Sequence, residues 1–277
     1  MLESRRYFSL LVSILLLGFA FATNAAAQSF TASHAKVSLV AENNALQPGK
    51  TAMMGVLFDL EKGWHIYWVN PGDSGQAPKI QWQLPAGFQA KEVRWPTPAR
   101  LGAGKVIDYG YEGRVLLPVP IQVPASYQAA KPAMLSADIR YLICREVCIP
   151  AKAQASLSIP SANAGGEAAA RELFHSTFEN SPKPWPAGWK AQASDNGGFF
   201  LLSLETGMSE LRAGFFPLEE DQIDNSAVQG ITANPRGVMI KLKKSDQLQK
   251  PISALKGVVV LGPGRAFEFS APLAGKR

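Results

Sequence analysis

Two cysteines, Cys144 and Cys148, occur in the 277 residues, and only three positions separate them in Tyr141-Leu142-Ile143-Cys144-Arg145-Glu146-Val147-Cys148-Ile149-Pro150. That spacing lets the side chains meet across a tight turn or one helical turn, so the thiols can close a disulfide. A ring this small removes little entropy from the unfolded chain, because loop-closure stabilisation grows with the logarithm of loop length. A pair that opens and closes is therefore a better use of these residues than a static staple. A thiol attacks a disulfide as thiolate, so charge near it matters. Arg140 and Arg145 flank the first cysteine and favour its thiolate, whereas Glu146 opposes it, which leaves the net direction open. Two thiolates alone do not make a structural zinc site, which takes about four Cys or His ligands. No metal and no other cofactor is expected.

The elements around the pair must hold it accessible. If residues 138–143 and 149–157 are the two arms of a hairpin, the cysteines sit where the arms meet, at the sheet edge, with Val147 and Ile149 as apolar cover. A thioredoxin-like site places its cysteines two residues apart at a helix start. This pair has three intervening residues and lies between strands, so a thioredoxin fold is not expected.

The rest of the chain reads as β almost throughout. Lys36-Val37-Ser38-Leu39-Val40-Ala41 alternates polar and apolar residues, and strand-like runs follow at 51–60, 64–68, 79–84, 115–123, 134–143 and 153–159. Gly, Pro and Asn turns separate them, as in an antiparallel sandwich, and the many prolines suit edges and loops rather than helices. Residues 160–166, rich in small residues, read as a flexible boundary, 167–179 carry Leu173, Phe174 and Phe178 at helical spacing, and Ser181-Pro182-Lys183-Pro184-Trp185-Pro186 reads as a stiff linker. Strand patterns return at 198–204, 210–216, 237–242, 257–261 and 266–270. The expected fold is all-β: an immunoglobulin-like antiparallel sandwich over 28–160, a helix and proline-rich linker over 161–188, and a second, smaller β-sandwich domain over 189–277. The second domain has no cysteine, so exchange chemistry is expected not to need it.

Residues 1–27 read as a signal peptide: Arg5 and Arg6 precede an apolar run over 7–22, and Ala25-Ala26-Ala27 supplies a small-residue cleavage site after Ala27. Export to an oxidising compartment follows. The formal charge of +6 falls to about +5 once Glu3, Arg5 and Arg6 leave. Spread over some 250 residues without a dense basic block, it gives no case for nucleic acid.

Other prominent residues have structural readings. Trp64, Trp68, Trp82 and Trp95 at strand positions suit a core. His34, His65 and His175 are too scattered for a metal site. Asn70-Pro71-Gly72-Asp73-Ser74-Gly75 lacks the carboxylates of a calcium loop and the lysine of a phosphate loop, which makes it a tight turn.

One ordered set of motifs resembles a known family. It runs from Gly63-Trp64-His65-Ile66-Tyr67-Trp68 and Asn70-Pro71-Gly72-Asp73-Ser74-Gly75 through Ile80-Gln81-Trp82 and Leu84-Pro85-Ala86-Gly87-Phe88. It continues through Trp95-Pro96-Thr97-Pro98, Tyr109-Gly110-Tyr111-Glu112-Gly113 and Leu116-Leu117-Pro118-Val119 to Cys144-Arg145-Glu146-Val147-Cys148-Ile149-Pro150. In this order the motifs resemble the periplasmic N-terminal domain of the DsbD/ScsB thiol:disulfide interchange proteins. Phe215-Phe216-Pro217-Leu218 and Gly264-Arg265-Ala266-Phe267-Glu268 resemble the second β domain of ScsB-type members. The resemblance implies a periplasmic domain with Cys144 and Cys148 as redox residues, reduced by a thioredoxin-like donor that draws electrons from a membrane electron-transfer protein. It further implies client thiol proteins in the periplasm, such as disulfide isomerases, cytochrome c biogenesis thioredoxins or copper-stress proteins. An aromatic cap over the cysteines is also implied, with Tyr109 or Tyr111 in that role. DsbD-type proteins continue into a multi-helix membrane domain and a thioredoxin domain. This sequence carries neither, so a separately encoded N-terminal arm, or the same fold with another partner, is expected.

Two classes of function follow. One is a protein-disulfide reductase-type electron carrier rather than a small-molecule enzyme. The other is a non-catalytic periplasmic binding or copper-stress module whose cysteine pair is a structural disulfide.

Overall fold

The computed structural model describes residues 27–28, 30–32, 34–43, 45–102, 104–128, 132–159 and 168–274. Of residues 1–27, expected as a signal peptide, only Ala27 lies among them, paired with Leu157 as the start of a two-residue strand.

Two antiparallel sheets face each other across one core. The first runs Ala27–Gln28, Cys148–Ile159, Ala133–Cys144, His65–Gly72, Asp108–Glu112, Ala99–Leu101, with Lys79–Gln83 also paired along Ala133–Cys144. The second runs Phe30–Ala32, Ala35–Ala41, Thr51–Leu60, Arg114–Gln122, Gln89–Ala90. Alternation decides which residues enter. On Ala133–Cys144, Leu135, Ala137, Ile139, Tyr141 and Ile143 are buried, and on Ala35–Ala41, Val37 and Leu39 meet them from the other side. Pro118 and Pro120 are tolerated in Arg114–Gln122 because the flank on which they lack N–H groups meets no regular strand; their carbonyls take the N–H groups of Lys91 and Arg94 from an irregular stretch. The all-β, immunoglobulin-like architecture stands.

The helix Ala168–Glu179 is no free spacer. Phe174, fully buried, packs on Leu57 and Leu116, with Leu173 and Phe178 beside it, so the helix covers the outer face of the second sheet. Full burial of such a ring stabilises by about 1.5–3 kcal/mol. The proline-rich stretch after it is also fastened, Lys183 bridging to Phe267 and Trp185 packing edge-on to Trp189, Phe267 and Phe269.

The third sheet has two antiparallel parts. Gly214–Pro217, Ala254–Val260 and Ala266–Ala274 form one; Lys190–Asn196, Phe199–Glu205, Gly237–Lys243 and Gly230–Asn234 form the other. A short parallel pairing of Ala193 and Ser194 with Leu273 and Ala274 joins them. Phe200, Leu202, Phe215, Ile240 and Val259 lie in its own core. The polar strands Lys190–Asn196 and Gly230–Asn234 have no strong alternation to announce them, and pairing with stronger neighbours forms them.

Asp224 anchors a loop of this sheet. Its carboxylate accepts from the Lys243 ammonium at 2.8 Å, and from the Ser226 hydroxyl and the backbone N–H groups of Ser226 and Ala227. These donors, the lysine foremost, hold its pKa at about 2 against the ordinary 3.8. A depressed folded pKa contributes stability that is complete above the unfolded-state value and is lost as pH falls through the folded one. Unfolding titrations of wild type and Asp224→Asn should therefore converge between about pH 4 and pH 2. The wild-type advantage above that window is about 1–2 kcal/mol, reduced by the water that reaches the pair.

Candidate functional site

The hairpin Ala133–Cys144/Cys148–Ile159 turns through Arg145, Glu146 and Val147, and the register pairs Cys144 directly with Cys148. Opposed residues on an antiparallel ladder bring their Cβ atoms within disulfide reach, and the two sulfurs are bonded, with the Cα atoms 4.1 Å apart. That is slightly closer than the usual range of about 4.4–6.8 Å.

Alternation puts Cys144 on the outer face of the sheet, opposite to Ile143 and Tyr141. The two residues nevertheless differ. Cys144 is 2% exposed, whereas Cys148 is exposed. Cys144 also pairs across the sheet with His65, two residues before Tyr67 on the same face. The Tyr67 hydroxyl donates to Cys144 Sγ at 2.8 Å and lies 3.3 Å from Cys148 Sγ. Burial raises the Tyr67 pKa; the Ser74 side chain beside it opposes that shift, and the neighbouring Asp108 carboxylate adds to it. The phenol therefore stays protonated, and stays a donor, across the physiological range.

Tyr67 points outward from the sheet yet is fully buried, because residues 70–75, the irregular end of its own strand and the bend after it rather than the tight turn expected, fold back over it. Gly75 has φ +81°, a conformation that favours glycine, and a Cβ there would overlap the Tyr67 ring. Each polar residue of this stretch is tied down. The Asn70 amide donates to the carbonyls of Pro217 and Glu219 and accepts from Gly72 N–H. Asp73 accepts from Ile107 N–H and from the Asn225 amide. Ser74 donates N–H and O–H to Asp108. The His65 ring sits edge-on to Tyr67 with Nε2 3.6 Å from Asp108 Oδ2, too long for a hydrogen bond.

The two tyrosines expected as the cap occupy other places. The Tyr109 hydroxyl donates to Asn225 Oδ1 at 2.8 Å, and its ring lies edge-on to Phe216 and Trp68, at the junction with the third sheet. The Tyr111 hydroxyl donates to the Pro96 carbonyl. The aromatic residue on the sulfurs is Tyr67, two residues beyond His65 on the strand that pairs with Cys144, and no signal in the sequence announced that pairing. Val147, 64% exposed, covers nothing, and Ile149 packs toward the core. Arg140 does not flank the thiol in space. Four residues along a strand place it about 13 Å away. The Arg145 guanidinium lies over the Trp64 ring at 5.7 Å. His34 is not isolated, stacking on Trp64 at 3.8 Å and pairing with Glu61 at 2.7 Å.

The junction with the third sheet thus braces the stretch that holds Tyr67. Val258, Ala266 and Phe216 join the sandwich core there. Asn225→Ala removes both hydrogen bonds of this side chain and leaves the Tyr109 hydroxyl and an Asp73 oxygen short of a partner. The expected cost is about 1–3 kcal/mol, read as a fall in Tm of several degrees.

The β sandwich thus presents one cystine at a hairpin tip, with Cys148 exposed, Cys144 buried and the Tyr67 hydroxyl beside both sulfurs, an arrangement that suits thiol:disulfide exchange. Residues 36–160 match the family described as "Thiol:disulfide interchange protein DsbD, N-terminal". The fold also matches the crystal structure of the N-terminal periplasmic domain of ScsB from Proteus mirabilis, with a TM-score of 0.70 and 17% identity over 91% of this chain and all of that one. At that identity the likeness concerns the fold, and it takes in the third sheet as well as the sandwich. No curated protein sequence matches the chain. Among the described residues no helix is long and apolar enough to cross a membrane.

Proposed function

We propose that this protein is a periplasmic carrier of reducing equivalents, taking electrons from a thioredoxin-like donor supplied by a membrane electron-transfer protein and passing them to client thiol proteins. In this reading residues 1–27 are a signal peptide cleaved after Ala27, 28–160 form the redox domain, and 189–277 form a second domain that braces it. The asymmetry of the cystine carries the reading: Cys148 is open, whereas Cys144 is buried under the Tyr67 hydroxyl.

The chemistry follows from that asymmetry. A donor thiolate attacks Cys148 Sγ, the Cys144–Cys148 bond breaks, and Cys144 leaves as a thiolate that accepts the Tyr67 hydrogen bond. The donor's second thiolate then attacks the donor sulfur of the mixed disulfide and releases Cys148 as thiolate. Toward a client the steps reverse in sense. Cys148 attacks the client disulfide and expels one client thiolate; Cys144 then attacks Cys148 Sγ, releasing the client dithiol and re-forming the cystine.

The test is reduction of the purified oxidised protein by a reduced thioredoxin, followed by alkylation of the freed thiols. Two alkylated cysteines per chain are expected, with a reduction potential above the range below about −300 mV that marks structural disulfides. A pair that resists dithiothreitol in the folded protein would make this a binding module with a stapled hairpin.

A further inference from the structure

The face of the sheet that carries the cystine continues along the hairpin. Cys144, Leu142 and Arg140 share it with Cys148, Pro150 and Lys152, since Tyr141 and Ile143 point into the core. The register places Leu142 opposite Pro150, and Arg140 between Lys152 on one side and Lys79 on the other. Moving away from the cystine, the face therefore presents first an apolar pair and then three cations in a row across three adjacent strands. A groove of about 580 Å³ lies over this stretch, lined by all three cations together with Ala77, Leu142 and Pro150.

The row is electrostatically unpaired. Like charges directly opposite on neighbouring strands repel. Lys79, Arg140 and Lys152 are exposed and make no ion pair among the described residues. The preceding carboxylate on this face, Asp138, is taken by the Gln83 amide. Asp138 keeps its charge one place along this face but closes no ion pair with the row, so three cations face one carboxylate and an anionic partner would relieve the remaining repulsion. Lys152 stands four residues from Cys148, about 13 Å along the strand, within reach of any chain that engages the open sulfur.

We propose that this groove docks the electron donor through a carboxylate-bearing segment that begins about four extended residues from the donor's reactive cysteine. The inference rests on the exchange reading of the cystine. The donor is the occupant because it must meet the oxidised form, and the groove stands open beside a closed disulfide. Leu142 and Pro150 receive the apolar part of the segment between its cysteine and its carboxylates.

Two peptide thiols test this. One carries three aspartates beginning four residues beyond its cysteine, and the other carries asparagines at the same places. Each peptide thiolate attacks Cys148 Sγ and releases Cys144, and mass spectrometry gives the rate at which the mixed disulfide forms on the oxidised protein. At low salt the aspartate peptide should react about tenfold faster than its neutral twin, and the advantage should fade near 1 M salt, where screening is complete within a few ångströms. In the variant combining Lys79→Glu, Arg140→Glu and Lys152→Glu the ranking should invert. Equal rates for the two peptides, or the same ratio in both proteins, would overturn the docking inference while leaving exchange intact. Failure of both peptides and of dithiothreitol to open the cystine would overturn the exchange reading and this inference with it.

Discussion

Cys144→Ala is expected to accumulate mixed disulfides with periplasmic proteins, whereas Cys148→Ala is expected to accumulate at least about tenfold less. The two variants each keep one thiol, but in different surroundings. Cys144→Ala leaves Cys148, which is exposed at the hairpin tip, free to attack a client disulfide. No second thiol then remains to resolve the adduct, because release requires attack by the missing Cys144. Cys148→Ala leaves a thiol that is 2% exposed beneath the Tyr67 hydroxyl, where a client sulfur cannot approach in line. Non-reducing electrophoresis of each variant, with and without dithiothreitol, reads the result. Equal adducts from both variants would refute the division into an attacking and a resolving cysteine. Absence of adducts from both would favour the stapled module.

Tyr67→Phe should slow opening of the cystine by about tenfold or more and make its potential more negative by about 30–60 mV. The hydroxyl donates to Cys144 at 2.8 Å, and when that sulfur leaves as a thiolate the bond becomes charge-assisted, worth about 1.5–3 kcal/mol. A bond to a neutral disulfide sulfur is weaker, so its loss penalises the reduced form more than the oxidised one. For a two-electron couple about 1.4 kcal/mol corresponds to 30 mV. Burial keeps the phenol protonated, which predicts that the wild-type rate advantage persists through neutral pH. Measurement against glutathione buffers, with the rate of opening by dithiothreitol, checks both effects. An unchanged potential would reduce Tyr67 to packing. Phenylalanine retains the ring that fills the space under Gly75, so the fold survives the test.

The β character of the chain was legible because it rests on period-two burial, which is local. The strand-like runs on either side of the cysteines pointed to a hairpin with arms over 138–143 and 149–157, and the cysteines where the arms meet. The helix was legible from Leu173, Phe174 and Phe178 at helical spacing, though not its docking on Leu57 and Leu116, two strands distant in sequence. Polar strands such as Gly230–Asn234 escaped because their neighbours, not their own residues, make them strands.

By itself the sequence determined the chemistry available: two cysteines close enough to bond, on a β scaffold whose motifs follow those of an interchange domain. Which cysteine is exposed, and which phenol meets the sulfurs, only the tertiary structure decided. Tyr67 is 77 residues from Cys144, and it reaches the sulfur because His65 pairs with Cys144 while residues 70–75 fold over the ring. Tyr109 carries the same phenol but rides on a neighbouring strand toward Asn225 in the third sheet. Residue type is a property of the chain, whereas burial and hydrogen-bond partners depend on strand pairing across long separations, and no local pattern encodes that pairing.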